Sequence, residues 1–226
     1  MIMFGNLVNG VAIVIGGLLG LLIGKRISAN FERHMMQAVA LGIVVLGIMG
    51  AIEVRNPLLM ILSLAGGALL GAWWQIEAKL ESVSERIKHA LKLKSDGFVA
   101  GFVSATLLFC VGSMAIVGSL NSGLYGDHSV LLAKGLLDGM IGLLMASTLG
   151  VGVAFSAIPV FLYQGAIVLG SSVLAPYLSE RLIGDVSSVG SVLILAIGIK
   201  MLGIVDIKIG DMLPAILVAG LLSAVI

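Results

Sequence analysis

The chain has 226 residues, of which 59% are hydrophobic and 11% are charged, with a formal net charge of +1 and a mean hydropathy of +1.18. A soluble domain carries about 25% charged residues, so this composition excludes a solvated globular surface and offers no basic face to a nucleic acid. The 31 glycines against 4 prolines suit closely packed membrane helices, and a single cysteine, Cys110, excludes an internal disulfide.

A membrane crossing needs about 20 apolar residues. No Lys or Arg precedes Val11–Ile23, whereas Lys25 and Arg26 follow it. A secretory signal has its positive charges in front, so the first stretch is predicted as a retained span. Eight apolar stretches follow one another: 6–24, 37–53, 57–76, 97–119, 129–150, 155–176, 187–205 and 210–226. Glycine, serine and charged residues interrupt the fourth and fifth, which keeps seven spans with one re-entrant segment as the alternative. The expected fold class is all-α and polytopic, a single integral membrane domain over 1–226. Its parts are a first repeat (1–77), an amphipathic cytoplasmic linker helix (78–95), a central broken-helix pair (96–152) and a second repeat (153–226).

Lys and Arg near span ends set orientation, because they are retained on the cytoplasmic side. With the first, third and seventh connections cytoplasmic, ten of these residues lie inside (Lys25, Arg26, Arg33, Lys79, Arg86, Lys88, Lys92, Lys94, Lys200, Lys208) against two outside, Arg55 and Arg181. Both termini are then expected outside, with Trp73 and Trp74 at the cytoplasmic interface. In the linker, Leu80, Val83, Ile87 and Leu91 recur at helical spacing opposite Lys79, Glu81, Glu85, Lys88 and Lys92. That pattern predicts a helix lying on the membrane surface, serving either as a simple linker or as a docking site.

Segment 41–48, LGIVVLGI, matches 197–204, IGIKMLGI, and Gly10–Gly16 resembles Gly165–Gly170 with one residue dropped. Pro57 and Pro214 each open the following stretch, where a missing N–H costs little. An offset of about 154–157 residues persists throughout, so spans 1–3 are expected to recur as spans 6–8. A shift of five spans makes the copies inverted, the construction of many secondary transporters; chance similarity among Gly/Ile/Leu-rich helices is the competing explanation.

The residues able to carry chemistry cluster in the middle of the chain. Gly112-Ser113 and Gly118-Ser119 place small and hydroxylated residues at membrane depth, and Asn121, Gly123, Gly126 and Asp127 mark a turn. This is either a broken helix along a solute path or tight packing followed by an ordinary loop. Lys134 and Asp138, four apart, share one helix face among Leu, Ala, Gly and Met. Each charge costs about 2.5–3.5 kcal/mol at a span centre on insertion scales, so the pair serves either a path or a structural fixing role. Pro159 leads into Tyr163-Gln164, and Asn9 falls at the equivalent place in the first span. Two such amides can flank a central site or simply bond neighbouring helices. Gly16, Gly20 and Gly24 read as close packing, and Cys110 reads first as a small packing residue. His34, His89 and His128 are dispersed, without metal-ligand spacing. Enzyme signatures such as HExxH, a P-loop or Gly-x-Ser-x-Gly do not occur. No enzyme activity, cofactor or metal is therefore expected.

Residues 109–119 (FCVGSMAIVGS), Gly126-Asp127, Lys134 with Leu137-Asp138-Gly139, Ser156-Ala-Ile-Pro159 and Tyr163-Gln164-Gly165 resemble the YqgA-like bacterial membrane proteins of domain-of-unknown-function 554. The resemblance spans essentially the whole chain. It implies a bacterial inner-membrane location and leaves activity open. The expected function is a small secondary transporter or channel-like permease for a small solute or ion, with Lys134, Asp138, Ser113, Ser119, Asn121, Asp127, Gln164, Asn9 and Cys110 as path residues. A non-transporting scaffold or accessory protein is the alternative. Membrane lipid is the expected partner, and glycine-rich faces suit a homo-oligomer.

Overall fold

The computed structural model describes residues 2–24, 29–79, 82, 86 and 97–225, and among these the chain forms helices and no strand. In chain order the helices are α1 (Phe4–Gly24), α2 (Ala29–Ile52), α3 (Pro57–Trp74), α4 (Phe98–Cys110), α5 (Ser113–Tyr125), α6 (Ser129–Leu149), α7 (Gly152–Phe155), α8 (Ala157–Leu169), α9 (Ser171–Leu174), α10 (Glu180–Met201), α11 (Ile209–Met212) and α12 (Pro214–Val225). From residue 80 to residue 95 the predicted linker helix lies outside the described residues, apart from Ser82 and Arg86.

Among the described residues, six helical stretches are long and apolar enough to cross a membrane, and α4 with α5, bent by 60° at their break, make a seventh. The last apolar stretch, Ile209–Ala224, is shorter than those six. Six to seven candidate spans thus stand where eight were expected. The difference lies at the C-terminal stretch, where a turn at Leu213 separates α11 from α12, and at the bend between α4 and α5. Local sequence sets several of these boundaries. Asn56 caps α3 by accepting the Leu59 N–H at 3.1 Å, Pro57 occupies the first turn, and Gln75 ends the helix in the left-handed region at φ 52°.

Burial runs opposite to a water-soluble fold. Leu22, Leu69, Leu136, Leu217 and Leu221 are exposed, whereas Asn6, Asn9, Ser119, Lys134, Asp138 and Gln164 are buried. An apolar exterior around buried polar groups is what a lipid solvent selects.

Two compact units divide the chain, each built from two separated segments: Met1–Met36 with Ser95–Ser179, and Gln37–Lys94 with Glu180–Ile226. In the first unit α1 runs parallel to α6. A Cβ placed on Gly16, Gly20 or Gly24 would strike the carbonyl oxygen of Gly139, Leu143 or Ser147, so the numbers rise together along both helices. Small residues every fourth position let these backbones touch over the whole length. Against α8 and α7 the same helix runs antiparallel, with Gly10 beside Phe161 and Gly17 beside Ala154.

In the second unit, α2 and α10 are antiparallel, Gly47 facing Leu195 and Gly50 facing Ser191. So are α3 and α12, where Gly67 meets Ala215 and Leu59, Val189, Ala215 and Ala219 form a buried apolar cluster. One end of this unit is tied by reciprocal capping. The Glu77 carboxylate accepts the Gly210 N–H at 2.5 Å, and the Asp211 carboxylate accepts the Glu77 N–H at 2.9 Å. Lys200 joins them, its Nζ lying 3.4 Å from Glu77 and 3.0 Å from Asp206 and donating to the Ile207 carbonyl at 2.9 Å.

Candidate functional site

In the first unit the helix break, the ion pair and the two amides come together. The break arises from the backbone. Val111 is extended at φ −82°, ψ 135°, and Gly112 sits at φ 126°, ψ 149°, a conformation that side chains disfavour, although a Cβ there would meet nothing within 4 Å. Gly112 is therefore required for its torsion and not for space. The chain leaves α4 at Cys110 and re-enters helix at Ser113, freeing backbone polar groups at both half-helix ends.

Lys134 and Asp138, one turn apart on α6, are buried and paired, each with 7% of its side chain exposed. Glycine on both helices brings them against α1. A Cβ on Gly135 would lie 3.1 Å from the Asn9 Cα, and one on Gly139 would lie 3.1 Å from the Ala12 carbonyl oxygen. Asn9 donates to the Gln164 side chain at 3.1 Å and also lies beside Asp138. The Phe109 ring centroid is 5.9 Å from the Lys134 Nζ, in reach of a cation–π attraction. Cys110 lies within electrostatic range of both charges, and Tyr163 lies within the same range of Cys110. Two buried atoms of this cluster have no hydrogen-bond partner among the described residues, Asn9 Oδ1 and Gln164 Nε2. A third, Asn6 Oδ1, belongs to a side chain whose amide donates to the Phe161 carbonyl at 3.0 Å.

Of the residues singled out in the sequence, Asn9, Cys110, Lys134, Asp138 and Gln164 thus share one cluster. The other four do not join it. Ser113 is exposed at the start of α5. Ser119 is fully buried on α5, its hydroxyl without a partner among the described residues. Asn121 serves the turn at the far end of that helix, its carbonyl receiving the Gly126 and Asp127 N–H groups. Asp127 is exposed there; the Ser129 backbone N–H, donating at 2.9 Å, holds its carboxyl below the usual range. Next to it, His128 is half-buried and not simply solvated: its Nδ1 is 2.8 Å from the Ser122 hydroxyl, which also donates to the Ile2 carbonyl.

Sequence reading missed Phe109 and Tyr163 in this cluster, and Asp185 in the second unit. Asp185 is buried on α10, accepting from the Ser223 hydroxyl at 2.7 Å with the exposed Arg181 Nε at 3.9 Å. Its signal was the spacing Asp185, Ser188, Ser191, a polar stripe on one face of an apolar helix. Among the described residues, no group of three His, Cys, Asp or Glu side chains is placed to hold a metal ion.

Comparison with known proteins agrees with the resemblance read from the residues. A family model described as a protein of unknown function (DUF554) matches residues 4–224. The uncharacterized membrane protein YdfK of Bacillus subtilis (strain 168) is 35% identical over 220 residues, covering 96% of this chain and 93% of the relative. The uncharacterized protein YqgA of Escherichia coli (strain K12) is 30% identical over 225 residues, covering 97% and 96%. No solved structure matches the chain. With its six to seven apolar helices and a family match over nearly its full length, the chain is a multi-pass membrane protein and belongs to the DUF554 family.

Proposed function

We propose that this protein is a small permease, a secondary transporter or channel-like carrier of a small solute or ion, with its path through the Lys134–Asp138 cluster. The observation that carries the reading is a paired buried cation and carboxylate beside a broken helix, with two neighbouring amide atoms left without partners. Intramembrane ionisable groups and interrupted helices are expensive in lipid and mark solute paths. Unpartnered buried amides are expensive as well, and a passing polar solute can satisfy them.

We propose as well that spans 1–3 recur, inverted, as spans 6–8. In such a repeat a residue lying on the two-fold axis touches its own equivalent. Asn6 bonds Phe161 and Asn9 bonds Gln164, each pair 155 residues apart, which is the offset of the sequence repeat. Contacts off the axis should come in reciprocal pairs, and Gly10 beside Phe161 is matched by Gly165 beside Asn6. Within each unit the paired helices run antiparallel, α1/α8 in the first and α2/α10 and α3/α12 in the second, as inverted copies require. The cluster then borders the repeat interface, where transporter sites lie. We place the protein in the bacterial inner membrane with both termini outside and without enzymatic activity, assembling as a homo-oligomer in membrane lipid.

The scaffold reading rests on a different feature, an entirely apolar groove of about 400 Å³ between α1 and α8, lined by Leu7, Val11, Ile158, Phe161 and Leu162 among others. Reconstitution separates the two. Liposomes containing the purified chain should take up at least one member of a panel of inorganic ions, organic acids, amines and polyols faster than empty liposomes. Uptake equal to that of empty liposomes across the whole panel would contradict the permease and leave the scaffold.

A further inference from the structure

We infer that the Lys134–Asp138 cluster binds a small monovalent anion together with one proton, so that the permease moves the two as a neutral pair. This rests on the permease reading and names its substrate class.

Charge balance limits what the cluster can hold. In an apolar interior a lone charge is far costlier than a compensated pair, and Lys134 and Asp138 compensate one another. A metal cation does not suit the site. Among the described residues Asp138 is the one carboxylate of the cluster, and an ammonium already occupies it; an incoming cation would have to displace that ammonium and remain close to it. A proton has no such conflict. When it adds to a carboxylate oxygen of Asp138, the O–H bond formed removes the negative charge and the ion pair is lost. Lys134 then holds a positive charge and three N–H donors with no counter-ion. An anion entering beside it restores neutrality, so proton and anion are each bound best when the other is present, and the cluster stays neutral in both states.

The orphaned Gln164 amide fits the loaded state and not the empty one. Gln164 Oε1 is taken by Asn9, which leaves Nε2 as a buried donor without an acceptor. An anion held by Lys134 supplies that acceptor. Asn9 Oδ1 is a buried acceptor without a donor, while the N–H side of the same amide faces Gln164 and Asp138. Phe109, fully buried and 5.9 Å from the Lys134 ammonium, limits the space to a small ion. The surrounding elements bring few competing groups: α1 carries no titratable side chain, α4 brings Cys110, α8 brings Tyr163, α7 brings none, and α5 carries Tyr125 at its far end. Asp127 and His128 stand just before the start of α6.

Two measurements on the full chain test this. In detergent, thermal stabilisation by sodium chloride, nitrate, formate and pyruvate is titrated against gluconate at constant ionic strength. For at least one anion the apparent affinity of the wild type should rise as pH falls from about 8 to about 5, since Asp138 must bind a proton for the anion to enter. Asp138→Asn mimics the protonated state and should bind that anion at neutral pH at least about tenfold more tightly than wild type, while Lys134→Met binds none. Should Asp138→Asn fail to fold, the wild-type profile still decides, because an affinity independent of pH overturns the proposal. In liposomes with an internal pH dye and a clamped voltage, an inward gradient of that anion should carry protons inward with no net current. Anion flux without protons, or flux of cations or neutral solutes alone, overturns the coupling and leaves the permease reading standing. No flux of any solute overturns both.

Discussion

Lys134 and Asp138, buried and paired one turn apart on α6, make an asymmetric demand on mutation. Lys134→Met or Asp138→Leu alone strands a buried charge and should cost about 3–5 kcal/mol. The double substitution removes both charges and should be more stable than either single variant. Thermal unfolding of the four proteins in one detergent checks this, and single variants as stable as wild type would mean the charges are solvated. The pair was legible in the sequence because charge is rare in this chain and four residues make one helical turn. Its surroundings were not, because Phe109 and Tyr163 arrive from other helices and look like ordinary filling. Gly112 makes a second demand at this scale. With φ at 126° and open space around it, Gly112→Ala should cost about 1–3 kcal/mol through backbone strain alone. Gly42→Ala, also in open space but within α2, should cost nothing in the same assay.

Helices as units were the most readable part, since apolar length and capping residues such as Asn56 and Pro57 act locally. The contacts between them were readable only where a spacing repeats. Gly16, Gly20 and Gly24 announced a close-packed face but not its partner, α6, which lies more than a hundred residues away in the chain. Substituting Gly20→Leu should force α1 from α6 and lower the melting temperature well below that of a Leu placed at Gly42. Equal stability of the two would mean α1 and α6 do not touch as described. The reciprocal caps of the second unit were invisible, because Glu77 and Asp211 look like ordinary loop charges until the chain returns. Removing either carboxylate as Glu77→Ala or Asp211→Ala should cost about 0.5–2 kcal/mol, and the double variant should cost less than the sum because the two share one junction. Faster amide exchange across 202–211 in each variant is the accompanying sign.

At the scale of the molecule, composition alone places the chain in a membrane, and the charge asymmetry of its loops predicts an orientation. Cysteines introduced at Ser28, Ser84 and the exposed Asp127, in a Cys110→Ser background, report that orientation. The first two should label from the cytoplasm and the third from the periplasm; the reverse pattern would invert the topology. The proposed repeat was legible only through a few glycines and prolines at a common offset; the hydrogen bonds Asn6–Phe161 and Asn9–Gln164 share that offset. Substrate was not legible, because selectivity depends on which donors and acceptors remain unpaired, and that is a property of packing. Uptake by liposomes carrying the double variant Lys134→Met/Asp138→Leu tests most sharply whether solute passes this pair. If it does, the variant should be folded and stable yet take up no more than empty liposomes; uptake at the wild-type rate would mean that solute does not pass there.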